Sequence, residues 1–138
     1  MSGIFNPPTS SSGLQSRTTA TYTTASLADA ARETGAVTMA KGFAILKIVT
    51  NVAARVRIYQ TAAIRDSDAA RSVLTEPPEG YIVDAVTAAG DLTRLMPPGL
   101  VSANMEASPS TSIAITVDNL SGSTQTVTVT ITYLQLEA

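Results

Sequence analysis

The sequence of 138 residues contains no cysteine, no histidine and no tryptophan. Without cysteine, neither a disulfide framework nor a thiolate metal site can form, so stability must come from packing. Without histidine, Ser-His-Asp and Cys-His catalysis are excluded, as are zinc sites built from these ligands. The eleven acidic residues are spread along the chain, and four tyrosines and two phenylalanines offer few platforms for sugar rings. The sequence therefore predicts a protein that is not an enzyme, with no cofactor.

Charge is also scarce, at 14% of residues and a net charge of -2, where average soluble domains have roughly 25% charged residues. The nine basic residues are scattered rather than clustered, and the glycines match no phosphate-binding motif. We therefore expect no nucleic acid partner. Serine and threonine number 34, which makes the polar surface mostly hydroxyl.

Long apolar runs are absent as well. No stretch approaches the ~20 apolar residues of a membrane-spanning helix. Residues 1–15 lack the basic and continuous apolar regions of a signal peptide. The sequence predicts a chain made in the cytoplasm, with no membrane partner.

What the sequence does contain is a strongly patterned C-terminal segment, residues 107–136, with the single charge Asp118. Its second strand, residues 124–136, alternates apolar residues with threonines, which is the period of a half-buried β-strand. The apolar residues are Val127, Val129, Ile131 and Tyr133. A long uncharged strand at an open sheet edge would promote aggregation. We therefore expect it to be central in its sheet, covered, or paired with a partner subunit.

The apolar phase changes at the end of this strand, because Leu134 and Leu136 share the threonine side. A bulge, or burial of both faces, would explain the change. Either implies a partner for the two leucines. The candidate partner-binding residues of the strand are Thr126, Thr128, Thr130, Thr132, Leu134 and Leu136.

Strand patterns recur along the chain between turn residues, which predicts an all-β fold. The predicted strands cover residues 17–25, 36–39, 43–50, 54–59, 81–86, 92–95, 112–117 and 124–136. A helical turn is predicted for residues 27–32. Residues 66–71 form either a helical turn, with Asp66 or Ser67 as the cap, or an irregular excursion at one end of the sandwich. About seven to nine strands with little helix indicate an antiparallel, jelly-roll-like β-sandwich, a single domain over residues 17–138.

Residues 1–16 precede this domain and are rich in Ser, Gly and Pro. They cannot bury enough surface to fold alone, and Pro7-Pro8 favours extended backbone. We predict an extended N-terminal arm. It is either a disordered tail or a tether that orders on a neighbouring subunit, with Ile4, Phe5, Pro7 and Pro8 as its candidate partner-binding residues.

Arg55, Arg57 and Tyr59 share one face of a predicted strand. Clustered arginines can bind anionic sugars or a partner's carboxylates, so these three residues are a possible glycan or anion contact. The alternative is a solvated strand face with ion pairs to Asp66, Asp68 or Asp84. Residues 66–68 resemble a calcium loop only weakly, and no metal site is expected.

Several segments resemble small β-sandwich proteins and modules of tailed bacteriophages. The similar segments are FAILKIVT at 43–50, ARVRIYQTAA at 54–63, RDSDAAR at 65–71, LSGSTQTVTVT at 120–130 and YLQLE at 133–137. The resemblance covers residues 27–138 and rests on strand and turn residues. In addition, GIFNPPT at 3–9 resembles the short N-terminal anchors of some phage fibre and baseplate proteins.

This resemblance implies a virion protein made in the host cytoplasm, with other virion structural proteins as partners and often a homotrimer. The leading hypothesis is a structural component of the tail fibre or baseplate. A capsid cement or decoration protein that staples coat subunits is the second hypothesis. A carbohydrate-binding module for host-surface glycans is the third.

Overall fold

The structure, a computed structural model, describes residues 16–138. In this range the chain forms eight strands and one short helix. The strands are β1 (Thr18–Leu27), β2 (Arg32–Thr38), β3 (Gly42–Thr50), β4 (Ala54–Tyr59), β5 (Tyr81–Val86), β6 (Thr93–Ala103), β7 (Ser112–Asn119) and β8 (Gln125–Glu137), and helix α1 (Ala62–Ser67) lies between β4 and β5.

The strands pair as a long hairpin that has been folded over. β1 pairs with β8, β2 with β7, β3 with β6 and β4 with β5, all antiparallel. Pairing of β3 with β8 and of β4 with β7 joins them into two four-stranded sheets, in the orders β1-β8-β3-β6 and β2-β7-β4-β5. This is jelly-roll connectivity. The predicted fold class, an antiparallel jelly-roll-like sandwich, is confirmed.

The core lies between the inner faces of the two sheets. The four apolar residues predicted for the inner side of β8 are all buried: Val127, Val129, Ile131 and Tyr133. Strand β8 lies between β1 and β3, so its backbone is paired on both sides over most of its length. Of the three arrangements expected for this strand, a central position is the one found, and it removes the aggregation hazard of an uncharged edge.

The alternation of β8 continues through Leu134, which pairs with Ala44 of β3. The bulge comes two residues later: Gln135 pairs with Phe43 and Glu137 with Gly42, which leaves Leu136 as the extra residue. A bulge is therefore present near the C-terminus, but it comes after Leu134 and does not explain the change of apolar phase there, since Leu134 lies on the same outer face as the threonines.

Three local predictions were wrong. Residues 28–31 form a tight turn between β1 and β2 rather than a helical turn, because Ala30 adopts φ 65° and its N–H donates to the carbonyl of Asn119 at 2.7 Å. Strand β6 continues through Pro97-Pro98-Gly99 instead of ending there. It is an edge strand, where prolines are tolerated.

The helix also begins earlier than predicted, since its N-cap is Thr61 rather than Asp66 or Ser67. The Thr61 hydroxyl accepts a hydrogen bond from the Ile64 N–H at 3.2 Å. This satisfies one of the free donors at the start of the helix.

Candidate functional site

Strand β4 is buried on both of its faces. Its inner residues Val56 and Ile58 belong to the core, while Arg55, Arg57 and Tyr59 alternate with them and lie on the outer face of the second sheet. Residues 60–80 fold back over this face. As a result the three outer side chains are only 3%, 0% and 1% exposed.

Arg57 is the centre of a buried charge cluster. Its Nη1 donates to the backbone carbonyl of Asp68 at 3.0 Å, and its Nη2 donates to Oδ1 of Asp118 at 3.2 Å. The carboxylate of Asp68 is also near, with Oδ2 at 3.8 Å from Nη1. Arg57 therefore joins the covering segment to strand β7, to which Asp118 belongs.

Two further arginines complete the cluster. Arg55 makes a bidentate ion pair with Asp84, at 2.9 and 2.8 Å. Arg71 bridges two carboxylates, donating to Asp68 at 2.6 Å and to Asp84 at 2.8 Å. The Tyr59 hydroxyl donates to Oδ2 of Asp68 at 2.5 Å. We call this set the buried charge cluster: Arg55, Arg57, Arg71, Asp68, Asp84 and Asp118, three positive groups against three negative ones.

The cluster shifts the pKa values of Asp68, Asp84 and the neighbouring Tyr59. Burial alone would raise the pKa of Asp68 and of Asp84. Hydrogen bonds from Arg71 and Tyr59 to Asp68, and from Arg55 and Arg71 to Asp84, outweigh burial and hold both pKa values below their usual range. Burial and the hydrogen bond to Asp68 raise the pKa of Tyr59 to about 12, so its hydroxyl stays protonated as a donor.

Acid should weaken the cluster. A carboxyl group whose pKa is lower in the folded state contributes stability that is fully present above the unfolded pKa, near 4, and lost as the pH falls through the folded value. We expect the free energy of unfolding, measured with urea, to fall as the pH drops below about 4. A double variant, Asp68→Asn with Asp84→Asn, should be less stable at neutral pH and depend less on pH in this range. If the free energy of unfolding fell equally steeply with pH in the unmodified protein and in the double variant, this explanation would be wrong.

The sequence predicted some of these contacts. Ion pairs of the arginines with Asp68 and Asp84 are confirmed, but the face is buried rather than solvated, and Asp66 pairs instead with Arg65 at 3.0 Å near the surface. Asp118 was missed. Its signal was its isolation as the one charge of residues 107–136, since a lone charge in an apolar strand needs a partner.

Burial also limits what the possible glycan contact can do. The guanidinium of Arg57 and the ring of Tyr59 are covered by residues of their own chain. A sugar in solution has no access to them while residues 60–80 remain in place. Within residues 16–138 no group of three or more acidic side chains is placed to hold a metal ion.

The outer face of the first sheet is different. Here the threonines of β8 pair with residues of β1 and β3: Thr130 pairs with Thr21 and Val49, and Thr132 with Thr19 and Lys47. Directly opposed residues point to the same side of a sheet, so hydroxyls cover most of this face. Thr126 is exposed and Thr128, Thr130 and Thr132 are half-buried.

One end of this face is apolar. Ala44 of β3 pairs with Leu134 on one side and with Val101 on the other, so the three lie side by side across the sheet. Val101 and Leu95 are each 68% exposed and Leu136 is 58% exposed. We call this area the outer patch: Ala44, Leu46, Leu95, Val101, Leu134 and Leu136.

The first described residues of the chain lie beside the outer patch. Ser16 and Arg17, the first described residues, line a shallow depression of about 610 Å³ together with Leu46 and Leu134. The arm residues Ile4, Phe5, Pro7 and Pro8 lie outside the described residues. The chain therefore enters the sandwich at the apolar end of the outer face.

Comparison of the chain with protein-family models, with curated proteins and with solved structures finds no match. Within residues 16–138 no helix has the length and apolar character needed to cross a membrane.

Proposed function

We propose that this protein is a non-enzymatic structural component of a bacteriophage virion, an oligomer of the tail fibre or baseplate that assembles through its N-terminal arm and its C-terminal β-hairpin. The proposal combines the resemblance of the sequence to small phage β-sandwich proteins with the surface of the fold. The lack of histidine and cysteine supports a role in assembly rather than in catalysis.

The contrast between the two outer faces is the observation that carries this proposal. On the second sheet the chain's own residues 60–80 cover the outer side chains of β4 and bury even charged ones, although Val73 and Leu74 of the covering segment are themselves exposed. The first sheet keeps a threonine face and an apolar end exposed to solvent. An exposed apolar patch bordered by polar residues is typical of a protein–protein interface. The first sheet is therefore the face that we assign to other subunits.

Locating the protein in particles tests the proposal. We expect mass spectrometry of purified virions to detect the chain, and immunogold labelling to place it on the tail. Removal of residues 1–15 should abolish its incorporation while the sandwich still folds, as judged by circular dichroism. A chain that is absent from virions, or that is incorporated equally well without the arm, would contradict the proposal.

Immunogold labelling also distinguishes the tail component from the second hypothesis, a capsid protein. Gold particles over the head would favour a cement or decoration protein that uses the same arm and sheet face on coat subunits. A glycan array addresses the third hypothesis, for which we expect no binding because Arg55, Arg57 and Tyr59 are buried.

A further inference from the structure

We infer that the outer patch is the docking site for the Ile4-Phe5 segment of a neighbouring copy's arm. This inference rests on the self-association proposed above and specifies which surfaces meet. Three observations support it: the apolar character of both the Ile4-Phe5 segment and the outer patch, the position of Ser16, where the arm joins the sandwich, and the length of the arm.

The chemistry of the two surfaces matches. Residues 1–15 contain no charged side chain, and their apolar residues include the adjacent pair Ile4 and Phe5. The outer patch consists of aliphatic side chains, of which Leu95, Val101 and Leu136 are more than half exposed. Burying a large apolar side chain contributes on the order of 1.5–3 kcal/mol. A pair of such residues can therefore anchor an otherwise polar segment.

The arm starts at the patch of its own chain, because Ser16 and Arg17 border the depression that Leu46 and Leu134 line. In a symmetric assembly, the distance from one arm's starting point to the patch of the next copy then equals the distance between equivalent points on neighbours. Touching domains of this size, with a radius of gyration of about 14 Å, have centres roughly 35 Å apart, and the distance between equivalent points is no greater than this when the points lie on the side that faces the symmetry axis.

The arm has the length to cross this distance. Eleven peptide units separate Phe5 from Ser16, and an extended chain covers about 3.3 Å per residue, or roughly 36 Å. Pro7-Pro8 favours extended backbone over a tight return to the chain's own patch. The arm is thus long enough to reach the patch of a neighbouring copy, and the self-association proposed above selects that patch over the chain's own.

Engineered cysteines can test this directly, since the chain has none of its own. Full-length Phe5→Cys and Val101→Cys chains, carrying tags of different mass, would be co-expressed and oxidised. Val101 is exposed, so the substitution leaves the core intact. The matched control replaces Val101→Cys with Thr23→Cys, an exposed position on the opposite edge strand.

We expect disulfide-linked pairs of different chains to form at least about tenfold faster for the Phe5–Val101 combination than for the Phe5–Thr23 control, because docking raises the effective concentration. Equal rates would overturn the inference. A further variant carries Phe5→Cys and Val101→Cys in one chain. If only this variant forms the disulfide, the arm docks on its own patch, and the inference is overturned.

The oligomeric state of the unmodified full-length chain separates this inference from the proposed function. An oligomer by light scattering without the selective disulfide would overturn arm docking on the patch and leave the structural role standing. A monomer without the disulfide would overturn both.

Discussion

Replacing Arg57 with methionine should lower the free energy of unfolding by about 3–5 kcal/mol, the usual cost of removing one partner from a buried ion pair. Methionine fills similar space but donates no hydrogen bond. Among residues 16–138, Asp118 would then keep a single ion-pair partner, Arg32, at 3.5 Å and near the surface. The backbone carbonyl of Asp68 would lose its hydrogen bond from Arg57 as well and keep the one from the Arg71 N–H. Urea denaturation monitored by circular dichroism measures this change.

Arg94→Met is the matched control for that variant. Arg94 pairs with Asp91 at 2.9 Å, but the two side chains are 34% and 68% exposed. Pairs of this kind contribute roughly 0–1 kcal/mol. If Arg57→Met proved no more destabilising than Arg94→Met, the buried charge cluster would not hold residues 60–80 against the sheet.

Ile131→Ala should destabilise the protein by about 2–5 kcal/mol, whereas Thr130→Ala, one residue earlier in β8, should change stability by no more than about 1 kcal/mol. Ile131 is fully buried between the sheets, and its truncation leaves a cavity. Thr130 lies on the outer face and is half-buried. The pair compares the two sides of one strand at nearly the same place.

Thermal and urea unfolding of both variants would measure this difference. Similar losses for the two variants would mean that both faces of β8 are equally buried in the protein as purified. Such a result would place a stable cover over the threonine face even in the absence of other virion proteins.

The sequence predicted the sandwich well because its strongest signals are local. Alternation in β8 identifies the inner residues directly, since the period of two fixes which side chains share a face. The change of apolar phase at Leu134 marked the apolar end of the outer face rather than the position of the bulge, which comes at Leu136. Turn residues between short strands then indicated the fold class.

The buried charge cluster could not be predicted in the same way. Residues 54–59 alternate as a half-buried strand does, and local pattern does not reveal that residues 60–80 return to cover the polar side. Asp118 lies 61 residues from Arg57, and only the order of strands in the sheet brings them together. Pairing at such separation depends on topology rather than on local sequence.

The two outer faces therefore differ. Residues 60–80 of the chain cover one of them and are held there by hydrogen bonds and ion pairs, whereas the other is the face that we assign to other subunits. The outer patch lies on the available face, beside the point where the arm begins. The end of β8, which the sequence marked for partners, lies at this end of the sandwich, where the first described residues Ser16 and Arg17 also lie.

Light scattering of the purified full-length chain over a range of concentrations measures self-association. We predict the mass of a trimer, and a shift toward the monomer mass when residues 1–15 are removed. A full-length chain that has the mass of a single copy at every concentration would contradict the proposed self-association.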